Sequence, residues 1–299
     1  MTTASWSTRL RHDSDAVFRE WGLEFNTKLA AVGLIQTTDT GQINWATVVR
    51  AGTNAEAGYE IWRFNDAMQG TAPIYLRIGY GTGSIANAPR IQITVGTGSN
   101  GSGTITGTAL SVARNVHQIS AAQIADTARQ SYMCHADGFF GFSWKQGAST
   151  SEAAFFICRT CDNAGTPNEI GAMIHWANGG LAAFTARQAM RFAAPATAYT
   201  AQTAVDTAQL GFSPQAPINT TTLTSDIQVM LGWTITPRAE PLFGVCGVYA
   251  SELTPGGTFS ATLVGSTPRT YLTLTGFAGP FSSISTASTG GLNIAMLWE

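Results

Sequence analysis

The sequence predicts a mainly β protein, an antiparallel β-sandwich of jelly-roll-like character, with an N-terminal amphipathic helix. Three observations point there. Charged residues make up 11% of the 299 positions, against roughly a quarter in ordinary soluble domains, so polarity comes from Thr, Ser, Asn, Gln and 32 glycines. Short runs alternate apolar and polar residues at period two. Breaks containing Gly and Pro separate such runs at about ten-residue spacing in the C-terminal third, the rhythm of sandwiches and jelly rolls.

The helix comes first, in "DSDAVFREWGLEFNTKLAAVG" from Asp13 to Gly33. Asp13 or Ser14 can cap its start and Gly33 can end it. Val17, Trp21, Phe25, Leu29 and Val32 recur at steps of four and three, so one stripe must be buried. It packs either on its own domain or between subunits; in the second case Val17, Trp21, Phe25 and Leu29 form the interface, with the aromatics as anchors. Residues 1–36 are therefore read as a helical attachment segment.

Residues 37–192 read as a β-rich region. "GQINWATVVRAG" and "AGYEIWRFND" look like strands, followed by a helical turn near Asp66 to Gly70 that stops at Pro73. "IYLRIGY" and "RIQITVG" alternate at period two and form a hairpin, which "GTITGTALSV" can extend. "AAQIADTARQ" is a short helix or a loop. "SYMCHADGFFGFSWK", "EAAFFICRT" and "IGAMIHWANGG" alternate again, and "CDNAGTPN" is rich enough in turn formers to join the last two as a hairpin. Residues 193–225, Ala-, Thr- and Pro-rich, read as an extended arm or long loop. Residues 226–299 return to strands that complete the sandwich, ending on the apolar "IAMLWE".

Several short motifs invite chemistry. Gly81, Gly83 and Ala86 have the spacing G-x-G-x-x-A, but a dinucleotide cradle needs a helix immediately afterwards, and "SIANAPRIQITV" supplies Pro89 and a strand. Asp39-Thr40-Gly41 is the tripeptide of aspartic proteases, whose chemistry needs two such aspartates; no second D-[ST]-G occurs, and a polar turn is expected. Of the 18 acidic residues, Glu60 beside Trp62 and Glu24 near Trp21 come nearest to a carboxylate among aromatics, and each is read as lying on a solvated face. The four histidines, His12, His117, His135 and His175, sit in no G-x-S-x-G or H-E-x-x-H setting. Catalytic residues and cofactors are therefore expected to be none.

Cys134, His135, Cys158 and Cys161 could in principle surround zinc, although strand parity separates the two members of the C-x-x-C unless a turn begins between them. Free thiols in a core are the simpler reading, and whether Cys158 and Cys161 bind metal stays open. Trp62, Trp144, Trp176, Trp233 and Trp298 fall in strands among apolar neighbours, which suits core packing. A sugar-stacking surface would instead use exposed aromatics on loops, for which Tyr80, Phe212 and Phe277 are the candidates.

A net charge of −2, with only two lysines and scattered arginines, argues against nucleic acid as a partner. No stretch approaches the roughly 18 apolar residues of a membrane span, and the N-terminus lacks a signal-peptide core, so a soluble protein made in a cytoplasm is expected. Low surface charge also suits contact with copies of itself, because charges are depleted in interface cores.

The stretches "AAVGLIQTTDTGQINWATV", "GYEIWRFNDAMQGTAPIYLRIGYGTG", "RIQITVGTGSNGSGTITG", "RTYLTLTGF" and "GLNIAMLWE" give the chain a texture that resembles β-rich structural proteins of tailed-bacteriophage virions, from tail modules. The resemblance spans most of the chain and carries no diagnostic motif and no catalytic residues. It implies a non-enzymatic virion component in a symmetric homo-oligomer, in the tail as fibre, baseplate or tip. A capsid decoration or cement protein, and a receptor- or glycan-binding tail protein, are the alternatives. The implied partners are copies of itself, other virion proteins and, for the last alternative, a host-surface glycan used in host attachment.

Overall fold

The computed structural model describes residues 2–9, 13–83, 86–87, 89–107, 128–145, 152–162, 164–176, 186–191, 228–230, 234–235, 240–241, 244–249, 256–262, 266–274 and 292–299. In chain order the elements begin with β1 (Thr2–Arg9), α1 (Asp15–Ala31), β2 (Ile35–Gln36), β3 (Glu56–Arg63), β4 (Tyr75–Thr82), β5 (Pro89–Gly96), β6 (Gly98–Ser99) and β7 (Ile105–Thr106). The middle supplies β8 (Ala128–Ala136), β9 (Phe139–Lys145), β10 (Glu152–Cys161), β11 (Pro167–Trp176) and β12 (Ala186–Arg191). Then follow β13 (Gln228–Met230), β14 (Thr234–Ile235), β15 (Glu240–Pro241), β16 (Val245–Tyr249), β17 (Thr258–Ala261), β18 (Arg269–Thr273) and β19 (Leu292–Leu297). The chain is mainly β and antiparallel, with the one helix among the described residues near the N-terminus.

The helix forms where its caps allow. Ser14 is extended, and its hydroxyl accepts a hydrogen bond from the Val17 N–H at 3.2 Å, satisfying one of the first-turn donors. At the other end Gly33, at φ 91°, donates to Ala30 O at 2.9 Å and turns the chain, a conformation that favours glycine. Phe18, Trp21, Gly22, Phe25 and Leu29 are buried, while Val17 is half-buried. The stripe is thus centred one residue from Val17, and Trp21, Phe25 and Leu29 pack inside their own chain. That corrects the expectation of a subunit interface: these side chains already fill the space between two sheets, in contact with Trp6, Tyr80 and Phe142. Gly22 is where the helix admits a ring. A Cβ built there falls inside the Trp45 indole, so Gly22→Ala is expected to lower stability by about 1–3 kcal/mol through overpacking, measurable as a drop in urea midpoint.

A four-stranded sheet, ordered β2-β3-β4-β5, lies on one side of α1. Its β4 and β5 form the hairpin predicted from the glycine turn, pairing Tyr75 with Gly96 through Thr82 with Pro89. Asn87 takes φ 68° in the connection, and a strand begins at Pro89 where a nucleotide cradle needs a helix. "GQINWATVVRAG", by contrast, is no strand. The Asn44 side chain accepts from Ala46 N at 2.9 Å and its carbonyl accepts from Val48 N at 2.9 Å, so the chain turns back at Asn44 and Trp45 drops into the core. The turn around Asp66 forms as read, with the Asp66 carboxylate accepting from Met68 N at 3.2 Å.

The second sheet has six strands in the order β1-β8-β9-β10-β11-β12, and its last five are consecutive in sequence. The β10–β11 connection is held as expected: Asp162 Oδ1 accepts from Ala164 N at 2.9 Å and Thr166 N at 2.8 Å. Strand β1 at its edge is not foreseen by the sequence reading, and neither is the start of β8 within "AAQIADTARQ". One face of this sheet, carrying Trp6, Met133, Phe140, Phe142, Trp144, Phe155 and Ile157, meets α1 and the four-stranded sheet in one core. The other face meets a third sheet, ordered β13-β16-β19-β18-β17. There Phe139 stacks on Phe156 at 6.2 Å, Gly244 lies against Phe139, and Tyr132 meets Trp298 edge-on at 5.7 Å. The apolar segment "IAMLWE" supplies β19, paired on both sides.

Two two-stranded pairs, β6-β7 and β14-β15, complete the described sheets. Residues 121–127, the arm 193–225, His117, Phe212, Trp233 and Phe277 lie outside the described residues.

Candidate functional site

The strongest concentration of polar chemistry is built around Glu60. Strand alternation puts Glu60, Trp62 and Phe64 on one face, and because that face meets α1, the carboxylate enters the core with the aromatics. Glu60 has no exposed surface. Its Oε1 accepts from Asn26 Nδ2 at 2.7 Å and Trp45 Nε1 at 2.7 Å; its Oε2 accepts from Trp62 Nε1 at 2.9 Å and the Tyr80 hydroxyl at 2.6 Å. The Asn26 amide nitrogen and the two indoles can only donate, so both oxygens must accept. Four donors from helix, loop and two strands converge on one residue.

Aromatic rings close this site. Tyr80 meets Trp45 edge-to-face at 4.9 Å, Trp21 at 6.1 Å and Phe25 at 6.1 Å. Burial first, and then the charge and hydrogen bond of Glu60, hold the Tyr80 phenol well above its usual range, so its proton stays in place as a donor. Two readings are corrected here. Glu60 is not on a solvated face, and Tyr80 is not a loop aromatic available to a sugar: it is fully buried within β4. Parity held the signal for Glu60. A Glu two residues from an inward Trp shares its face, and it then needs the donors that Trp45, Trp62 and Tyr80 provide.

A second buried joint ties the four-stranded sheet's connecting turn to the six-stranded sheet. Arg159 of β10 donates from Nε to Asp66 Oδ2 at 2.8 Å, and from Nη2 to Asp66 Oδ1 at 3.3 Å and Ala72 O at 2.7 Å. Both partners are essentially without exposed side-chain surface. The planar guanidinium thus grips a carboxylate and a carbonyl at once.

His135 of β8 lies beside this pair, its ring edge-on to Phe64 at 5.0 Å. Burial pulls its pKa down to about 4, against opposing influences from Asp66 and the Val32 backbone. Because the unfolded imidazole titrates near 6.5, protons bind preferentially to the unfolded chain as pH falls. The associated stability is full above pH 6.5 and is lost progressively toward pH 4, by about 3 kcal/mol in all. In urea titrations at pH 7 and pH 4.5, His135→Gln is expected to show a visibly smaller loss than the wild type.

Asp39-Thr40-Gly41 forms the polar turn the sequence suggests, and its role is to dock the loop 98–106. Asp39 accepts from the hydroxyls of Ser99 and Thr37 and from Gly103 N at 3.3 Å, and Thr40 N donates to Gly101 O at 2.9 Å. Burial raises the Asp39 pKa, but the hydrogen bonds from Ser99, Thr37 and Gly103 outweigh it and hold the carboxyl below its usual value. Alongside, the Arg77 guanidinium lies 4.5 Å over the Tyr59 ring, pairs with Glu56 and donates to Gly103 O at 3.1 Å.

The proposed zinc constellation does not converge. Cys134 and His135 are adjacent on β8 and point to opposite faces, the thiol toward the Glu299 carbonyl at 3.9 Å and the ring toward Phe64. Cys134, Cys158 and Cys161 are buried, and burial pushes the Cys134 thiol up to about 12. Among the described residues no three His, Cys, Asp or Glu side chains group to hold a metal, and no helix is long and apolar enough to cross a membrane.

Fold and site together define an antiparallel, mainly β protein whose innermost charges link its layers to one another. Comparison with family models, curated proteins and solved structures finds no match.

Proposed function

We propose that this chain is a non-enzymatic structural component of a bacteriophage virion, placed in the tail as fibre, baseplate or tip and assembled with copies of itself and other virion proteins in the host cytoplasm. The observation that carries the reading is where the polar chemistry goes. Glu60, Asp66, Arg159 and Asp39 each engage groups of their own chain and join one layer or loop to another. That pattern serves a part that must keep its shape, and the low charge of the sequence suits broad contact with neighbours. The textural resemblance to tail-module proteins supplies the setting. A glycan-binding variant of the reading loses its described candidate, since Tyr80 is spent on Glu60.

The test is to raise an antibody to the chain and apply it, with mass spectrometry, to particles purified from the phage that encodes it. Gold label at the tail is the expected result. Label on the head would replace the tail reading by the decoration reading, and absence from the particle would overturn the virion reading.

A further inference from the structure

The register of the six-stranded sheet fixes which backbone groups of its edge strand point outward. Arg159 N donates to Gly138 O at 2.7 Å, so Arg159, Ile157 and Phe155 direct their backbone groups toward β9. Alternating outward, Phe139, Gly141 and Ser143 face β8, and Ser131, Met133 and His135 face β1. Their partners on β1 are Trp6, Ala4 and Thr2. The N–H and C=O groups of Thr3, Ser5 and Ser7 therefore point away from the sheet, where β1 ends the strand order.

These three residues are exposed. The same reasoning applied to β5 gives the opposite result. Thr82 N donates to Ala55 O, so the outward groups of β5 belong to Ile91, Ile93 and Val95, which keep at most 2% of their surface exposed. Among the described residues the β5 edge is covered and the β1 edge is open. Native edges are usually guarded by charge, proline or a bulge, yet Thr2 to Thr8 holds none of these, the single charge of β1 being Arg9 at its end, and the eight-residue register of Thr2–Arg9 to β8 is unbroken.

We propose that this edge pairs antiparallel with β1 of a second copy, about a two-fold axis through Ser5, making one continuous sheet. The sequence is self-complementary in that register. Ser5 meets Ser5 of the partner subunit, and Thr3 meets Ser7 of the partner subunit, placing hydroxyls against hydroxyls on the exposed face. On the helix-covered face Ala4 meets Trp6 of the partner subunit, small against large. Three such pairs supply about six backbone hydrogen bonds. The inference rests on the self-association in the proposed function and is independent of where in a particle the chain sits.

Sedimentation velocity on the full chain tests it. The wild type is expected to dimerise reversibly. Ser5→Pro removes an outward N–H that β8 does not use, so it should weaken the dimer at least tenfold while leaving the circular dichroism spectrum unchanged. Cysteine variants decide the matter if that protein fails to fold. Paired Ser5 residues stand about 5.5 Å apart, whereas Ser7 lies about 14 Å from its own mate. With wild type as background, a short bis-maleimide should therefore cross-link Ser5→Cys and not Ser7→Cys. A wild type monomeric at every concentration, a dimer indifferent to Ser5→Pro, or equal cross-linking of the two variants would overturn the edge pairing. None of these outcomes touches the immunolabelling result, so the two readings fail separately.

Discussion

Replacing Glu60 with alanine is expected to cost about 3–5 kcal/mol, the range for breaking a buried, hydrogen-bonded charge network by removing one member. Four donors lose their acceptor at once: the Asn26 amide, two indoles and the Tyr80 hydroxyl. Three of them cannot turn to water, because Trp45, Trp62 and Tyr80 are themselves buried; only the half-buried Asn26 keeps another acceptor, Gln36 Oε1 at 3.4 Å. Each orphaned buried donor costs about 1–3 kcal/mol before relaxation, and local rearrangement brings the sum down toward the network range. Against a total stability of about 5–15 kcal/mol, this brings the chain close to unfolding. Glu60→Gln keeps the shape but turns an amide NH₂ toward two of the donors, and it should fall between wild type and alanine. The measurement is a urea titration followed by tryptophan fluorescence, with the midpoint read at unchanged slope. A loss under about 1 kcal/mol for Glu60→Ala would show that the carboxylate is not what joins the helix to the sheet.

Asp66→Ala and Arg159→Ala are expected to cost a similar amount, about 3–5 kcal/mol each, because each leaves an uncompensated charge in the interior. The informative variant is the double one. Asp66→Leu with Arg159→Met removes both charges and fills their space, and it should recover most of the loss, since a buried pair often gives back in desolvation what it gains by attraction. A double-mutant cycle on urea midpoints, with Asp66→Leu and Arg159→Met as its single variants, then yields a coupling energy of at least about 3–5 kcal/mol, reduced somewhat because Ala72 O also loses its donor. Additive single losses would mean that the two residues act separately.

The elements that the sequence makes legible are those in which local chemistry and global packing agree. Ser14, the aromatic stripe and Gly33 specify α1 by themselves, and alternation in "IYLRIGY" and "RIQITVG" specifies the hairpin. "EAAFFICRT" is a strand as expected, but not an alternating one: from Ala154 to Cys161 both of its faces are buried. The failures have physical causes. "GQINWATVVRAG" has strand composition, and Ile43 N does donate to Tyr59 O of β3 at 2.8 Å, but the Asn44 side chain then offers its backbone a local turn. Tyr80 reads as a loop residue because glycines surround it, although its parity with Ile78 and Leu76 puts it inward. Glu60 reads as solvated because a charge normally belongs there; its burial depends on donors 15 and 20 residues away along the chain, at Trp45 and Tyr80, and on Asn26 from the helix. That pairing is tertiary, and no local pattern announces it.

Strand β10 has a consequence for how the molecule breathes. From Ala154 to Cys161 every residue is buried, with Phe155 and Ile157 in the core shared with α1 and Phe156 against Phe139 on the opposite face. Both its neighbours, β9 and β11, are paired to it along most of its length. Its amide protons can therefore reach solvent deuterium only when layers on both sides separate, which is to say in the globally unfolded state. Exchange at Phe155 to Cys158 should report the free energy of the whole cooperative unit, while Thr3, Ser5 and Ser7 on the open edge exchange orders of magnitude sooner. The chain thus carries its own slow and fast clocks, and protection of the fast one on raising the protein concentration would time the arrival of a neighbour.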